Sequence, residues 1–242
     1  MTIDSTEKPL WVLGYGSLIF KPPPHAKYRV PGIIYNFSRR FWQSSSDHRG
    51  CVETGLGRVL TLVAYEDIVK DESLIQDVER FNAVKRDNFQ KKDLKSWACA
   101  YYIPAEFAKE VTDYLNVREQ DGYTVHEIPF ELHIDEELKQ KYSDPAFNKA
   151  IEDLPIDPNS GKHILTSVVY IGTLDNPSFV GPESLEDTAQ IISTAVGPSG
   201  TNFEYLEKLY LALNELDQHE EDQYVTELYQ RVLEIRKNKG IE

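Results

Sequence analysis

Residues Trp11 to Pro24, WVLGYGSLIFKPPP, place two glycines two residues apart directly after a short apolar run, which is how a nucleotide-binding loop begins. A dinucleotide fingerprint needs a third glycine three residues after Gly16, where a helix packs on the strand, and an acidic residue about 20 residues further on. Ile19 stands at that third position, and Pro22, Pro23 and Pro24 occupy what should be the first turns of the helix. No Gly-Lys-Ser/Thr closes the loop as in a P-loop, and Ser17 lacks the flanking glycines of a nucleophile elbow. What remains is a strand, Trp11 to Gly14, cut off by the glycine pair. After it comes a turn in which the backbone N–H groups of Gly16, Ser17 and Leu18 can form a concave nest for a carboxylate, or which is simply a tight turn that binds nothing, the commoner case for a bare pattern.

Outward from that turn, extended and helical stretches follow one another irregularly. RVPGIIYNFSRRFWQ (29–43) reads as a second extended stretch, SSSDHRGCVETGLG (44–57) as a long polar loop, and RVLTLVAYED (58–67) and SWACAYYIP (96–104) as strands. Residues 67–95 are charged, hold two helical patches at most, and look like an insertion. Pro104 opens a helix at its first position; at about 100° per residue Phe107, Val111, Tyr114, Leu115 and Arg118 share one face, and Gly122 follows as C-terminal cap. YTVHEIPFELHI (123–134) is extended, residues 135–155 are partly helical, and HILTSVVYIGTL (163–174) is a strand. Thr201 and Glu204 have the spacing of a capping box before the helix 202–216, and a last helix covers about residues 223–237. At least five strands with three or four helices, out of regular alternation, predict an α+β domain with a closed or strongly curved sheet.

The balance of 26 Lys plus Arg against 40 Asp plus Glu gives a formal charge of −14. A surface so acidic repels phosphate backbones and anionic headgroups, which disfavours nucleic acid and membrane partners. The longest clearly apolar stretch, Trp97 to Ile103, is far short of the roughly 20 residues of a membrane helix, and MTIDSTEKPL, with no basic start and apolar stretch, does not read as a signal peptide. Two cysteines, Cys51 and Cys99, suit a reducing compartment without a disulfide, so a cytoplasmic chain is expected. The six histidines show no zinc spacing, so no metal is expected; Asp47, His48 and Arg49 could form a catalytic patch, but a serine-rich polar loop is more often simply solvated.

Glu119 lies about 120° from Phe107 on the helical wheel, close to Leu115, so it can face the sheet rather than bulk water. In the last turn it meets the negative end of the helix dipole, which disfavours an anion by a few tenths to about 1 kcal/mol. Burial and dipole together would raise its pKa, as a group trading protons near neutral pH requires. The bare pattern equally allows a surface glutamate paired with a nearby base.

Five motifs then occur together in this order: WVLGYGSL (11–18), GRVLTL (57–62), YLNVREQDGY (114–123), SVVYIGT (167–173) and VGPSGTN (196–202). Over about residues 10–215 the chain resembles the ChaC-type glutathione-specific γ-glutamylcyclotransferases. That resemblance implies a mixed β-barrel with flanking helices, a loop of Tyr15, Gly16, Ser17 and Leu18 that cradles a γ-glutamyl group, and one catalytic glutamate, which maps to Glu119. It implies cleavage of glutathione into 5-oxoproline and cysteinylglycine by attack of the substrate's own α-amine on its γ-carbonyl, a reaction that needs no cofactor. On this reading Glu119 is general base and then acid, and the N–H groups of the loop bind the α-carboxylate or the developing oxyanion. Arg58 pairs with a substrate carboxylate, and Tyr123 and Tyr170 line the pocket or serve as core aromatics with satisfied hydroxyls. The chain is expected to be a monomer and one domain, with 67–95 a decoration and 216–242 a helical extension of no assigned role. Cyclotransfer from other γ-glutamyl amines or amino acids, and a binding module that does not cleave, are the competing readings.

Overall fold

Asn36 divides the first half of the chain. The stretch expected to run extended from residue 29 to residue 43 is two strands, because Asn36 takes a φ of 71°, a left-handed conformation that asparagine tolerates better than most side chains. The computed structural model describes residues 8–53, 55–119, 122–216 and 221–241. In chain order its elements are β1 (Leu10–Gly14), α1 (Ser17–Phe20), β2 (Tyr28–Tyr35), β3 (Phe37–Ser45), β4 (Gly57–Ala64), α2 (Tyr65–Ile68), α3 (Glu72–Phe81) and β5 (Lys95–Ile103). There follow α4 (Ala105–Arg118), β6 (Thr124–Leu132), α5 (Glu136–Lys141), α6 (Pro145–Glu152), β7 (Ile164–Ile171), α7 (Leu185–Thr194), β8 (Val196–Gly197), β9 (Gly200–Thr201), α8 (Asn202–Leu216) and α9 (Gln223–Lys239).

The described residues group into two compact units. The first takes in residues 1–35, 95–120 and 125–170, the second 36–94, 121–124 and 171–242. The first is built on a closed barrel in the order β1-β5-β2-β6-β7. Strand β5 pairs antiparallel with β1 from Leu10↔Ile103 to Gly14↔Cys99, and with β2 from Tyr28↔Tyr102 to Tyr35↔Lys95. Closure comes from a parallel pairing of β1 with β7 at Val12↔Val168, so the barrel is mixed, as expected. Closing the sheet removes its unpaired edges. Leu13, Val30, Ala98, Ala100 and Phe130, all buried, share one face of its strands, and Val12 and Tyr101 are buried on the other.

Helix α4 differs from expectation in three details. Pro104 is its N-cap rather than its first helical residue, and the helix ends with Glu119 as C-cap, so Gly122 is no part of its end. The buried stripe is Ala108, Val111, Thr112 and Leu115, a clean i, i+3, i+4, i+7 set. Tyr114 is exposed at the margin of that stripe, and Phe107 leaves it to stack on His25, ring centroids 4.0 Å apart.

In the second unit β3 and β4 form a two-stranded antiparallel sheet, and Trp42, Val63, Ile68, Leu74, Val78 and Leu94 form a core cluster. Strand β4 stops at Ala64, short of the expected residue 67, because α2 begins there. Between 67 and 95 lie α3 and two 3₁₀ turns, Arg86–Asn88 and Lys91–Asp93. Arg40 is buried yet matched: Nε meets Asp77 at 2.6 Å, Nη2 donates to Asn82 at 3.0 Å, and the guanidinium lies 4.6 Å from the Tyr224 ring centroid. At the start of α8, Thr201 Oγ1 accepts the Glu204 N–H at 3.1 Å, while the Glu204 carboxylate turns to Arg49 and Lys208. Among the described residues, no helix is long and apolar enough to cross a membrane.

Candidate active site

Tyr15, Gly16, Ser17 and Leu18 follow β1 directly. Gly14, its last residue, has no room for a side chain: a Cβ there would lie 2.5 Å from Leu18 Cβ and 3.3 Å from the Tyr101 ring. The chain therefore turns at once into α1, with Gly16 as N-cap and the Ile19 N–H returning to the Gly16 carbonyl at 2.9 Å. The expected nest of three N–H groups is thus the first turn of a four-residue helix, begun by Ser17 and Leu18. Tyr101 of β5 donates its hydroxyl to the Leu18 carbonyl at 2.7 Å, and burial pushes its phenol up, which keeps it a donor. Tyr15, Gly16 and Leu18 are buried and Ser17 half-buried.

Glu119 sits one residue past the last helical residue of α4, its N–H bonded to the Leu115 carbonyl at 2.9 Å. Its side chain is 18% exposed, turned from bulk water, with Oε1 3.3 Å from Arg118 Nε. The rest of the Arg118 guanidinium reaches the other motif: Nη2 donates to Ser17 Oγ at 2.6 Å and Nη1 to the Lys21 carbonyl at 3.3 Å. One cation therefore spans the Tyr-Gly-Ser-Leu turn and the glutamate. It also sets a positive charge at the negative end of the helix, which the reading of Glu119 in isolation lacked. Tyr170 of β7 donates to Asn116 Oδ1 at 2.9 Å, and its phenol is pushed up to about 12 by burial first and by the Glu119 charge second.

Arg58 and Tyr123 belong to the second unit. Arg58 Nε and Nη2 donate to the two carboxylate oxygens of Glu183 at 2.8 and 2.7 Å, a bidentate match that Thr188 Oγ1 supports by donating to the same carboxylate at 2.8 Å. The Arg58 backbone is gripped as well, its N–H by Asn202 Oδ1 at 2.6 Å and its carbonyl by Asn202 Nδ2 at 2.7 Å. The fork is thus filled by a protein carboxylate, which a substrate carboxylate would have to displace. Tyr123 donates its hydroxyl to the Leu60 carbonyl at 2.6 Å, so both candidate tyrosines have satisfied hydroxyls. Gly122, at φ 80°, offers its carbonyl to Asn176 Nδ2 at 2.8 Å, with the Asn176 amide where a Cβ would go.

Of the polar patch, Asp47 and His48 stay about half exposed, while Arg49 is drawn to Glu204 and the Thr201 carbonyl, each at 3.0 Å. Among the described residues no three His, Cys, Asp or Glu side chains gather as metal ligands do. Sequence reasoning gave no role to Arg118, Asn116, Glu183 or Asn202. Two of them carried a signal: Arg118 precedes the singled-out glutamate, and Asn202 closes the VGPSGTN motif.

The family model described as ChaC-like protein matches residues 10–235, past the limit of about residue 215 drawn from the motifs, and so takes in most of α9. The chain is 46% identical over 243 residues to the glutathione-specific γ-glutamylcyclotransferase of Saccharomyces cerevisiae, covering 98% of this chain and 100% of that one. It is 37% identical to the protein of the same name in Schizosaccharomyces pombe, over 93% of this chain and 92% of that one. Among solved structures, the selenomethionine-labelled γ-glutamyl cyclotransferase specific to glutathione from yeast superposes with a TM-score of 0.87 at 44% identity, over 96% of this chain and 99% of that one. On the barrel, the motifs in register and this near full-length match, the chain belongs to the ChaC-like family.

Proposed function

We propose that the protein is a glutathione-specific γ-glutamylcyclotransferase that converts glutathione into 5-oxoproline and cysteinylglycine, with Glu119 as its proton carrier. The observation that carries this reading is the shared guanidinium: Ser17 Oγ and Glu119 Oε1 contact the same Arg118 at 2.6 and 3.3 Å, although 101 residues separate Ser17 from Arg118. The names and coverage of the yeast relatives support the substrate.

The nucleophile and the electrophile belong to one molecule, so the first task is to hold the γ-glutamyl chain bent for five-membered ring closure. Orientation of this kind supplies several kcal/mol of a barrier. The α-nitrogen arrives as ammonium and is inert until Glu119 takes a proton from it. Its lone pair then attacks the γ-carbonyl carbon, and the bond from that carbon to the cysteinyl nitrogen breaks. The attacking nitrogen ends as a lactam N–H and the leaving nitrogen as ammonium, so two protons cross in all, and a carboxylate beside both atoms can carry them. The free N–H groups at the start of α1 suit an α-carboxylate or the developing oxyanion. We take the working state to be a monomer in the cytoplasm, the two cysteines suiting a reducing compartment.

Incubation with glutathione and, separately, with γ-glutamyl-alanine, read by mass spectrometry for 5-oxoproline, tests the reading. Release from glutathione alone is expected. Glu119→Gln keeps the shape and removes the proton carrier; it should abolish release while calorimetry still detects glutathione binding, and activity within a few-fold of the parent would reject the assignment.

A further inference from the structure

We infer that Arg118 is the positioning residue of this site, tying the Tyr-Gly-Ser-Leu turn and the Glu119 carboxylate into one fixed geometry. This role rests on the functional reading above. A guanidinium is a rigid planar fork of five N–H donors, so acceptors bound to different nitrogens are held at set distances from one another. Here Nη2 holds Ser17 Oγ at 2.6 Å, Nη1 the Lys21 carbonyl at 3.3 Å, and Nε faces Glu119 Oε1 at 3.3 Å. Ser17 opens α1 and Lys21 is its C-cap, whereas Glu119 is the C-cap of α4, its backbone held by the Leu115 carbonyl and its side chain beyond the last helical residue. Side chains 15% and 18% exposed place the pair partly out of water, where a charge-assisted contact counts for more than at an open surface.

Precision is what such a tether supplies, because a proton carrier displaced by about 1 Å can lose a hundredfold in rate. The cation also favours the ionised carboxylate, the form that can accept a proton from the incoming ammonium. Tyr170, raised by burial first and by the Glu119 charge second, stays neutral at assay pH and so adds no charge beside that carboxylate. The segment after α1 has a second anchor on α4: His25 stacks on Phe107 and lies 3.1 Å from Glu110. Loss of Arg118 therefore frees the Ser17 end without releasing the whole segment.

Purified Arg118→Lys and Arg118→Met are compared with the parent and with Glu119→Gln for kcat, KM and the pH dependence of kcat/KM on glutathione. Lysine keeps the charge and cannot span three acceptors, so a loss of kcat of about thirtyfold or more with KM within about threefold is expected. Methionine removes the charge too, and the acidic limb of its profile should move up by about one pH unit, whereas in the lysine variant the limb stays in place. If the methionine variant does not fold, the kcat and KM of the lysine variant decide. Arg118→Lys at parental kcat with an inactive Glu119→Gln overturns the inference and leaves the functional reading standing; parental activity in both overturns both.

Discussion

Tyr170 is buried, hydrogen-bonded to Asn116 and within electrostatic reach of Glu119, with its phenol pushed up to about 12. Such a group holds its proton throughout the range in which an enzyme is assayed, so it can orient but cannot exchange a proton. Tyr170→Phe should therefore lower the rate without moving either limb of the pH profile, and a basic limb that shifts in this variant would contradict that. Part of this was legible in the sequence: the motifs and the glutamate are local in the chain and can be read there. What fills the site's hydrogen bonds was not, because the partners are far away, Ser17 lying 101 residues from Arg118 and Glu183 lying 125 from Arg58. A pattern of spacing along one segment holds no information on such pairs, which is why Arg58 read as an arginine open to substrate.

The turn from β1 into α1 depends on the absence of one carbon atom. Gly14→Ala would put a Cβ 2.5 Å from Leu18 Cβ, and overpacking of that kind costs about 1–3 kcal/mol. In a chain of this length the melting temperature should fall by roughly 2–4 °C per kcal/mol, and activity should fall further than stability because the displaced element is the candidate substrate loop. An unchanged melting curve with parental activity would show that α1 can step aside. Element types were well predicted where apolar periodicity was strong, as in β5, β7 and α8. The errors cluster at boundaries decided by single residues or by tertiary packing. Asn36 broke a continuous extended pattern through its backbone conformation, and α4 turned by a fraction of its stripe because packing selected Ala108 and Thr112 over Tyr114.

Across the molecule, where burial, charges or hydrogen bonds displace a carboxylate of the described residues, the shift is mostly downward. Arg231 lowers Glu186 from 4.5 to about 2, Lys208 and then Arg49 lower Glu204, and the Tyr28 hydroxyl lowers Asp144. A folded value below the unfolded one gives stability that is present above the unfolded value and lost as pH falls through the folded one. Asp77 has the opposite sign, since burial outweighs Arg40 and raises it. The melting temperature should therefore stay level above about pH 5 and decline gradually between about 4.5 and 2, gradually because each exposed pair contributes little. Circular dichroism melts across that range check it, and a melting temperature unchanged down to pH 2.5 would contradict it. The way the chain is shared between the two units has a consequence for its birth and its history. Each unit draws on three separate lengths of chain, so severing one peptide bond anywhere leaves at least one of them divided. A ribosome must release residue 170 before the barrel unit has all its parts, and the other waits for the tail. Exchange of either unit as one continuous stretch would carry pieces of the other with it, and no truncation recovers either one whole and alone.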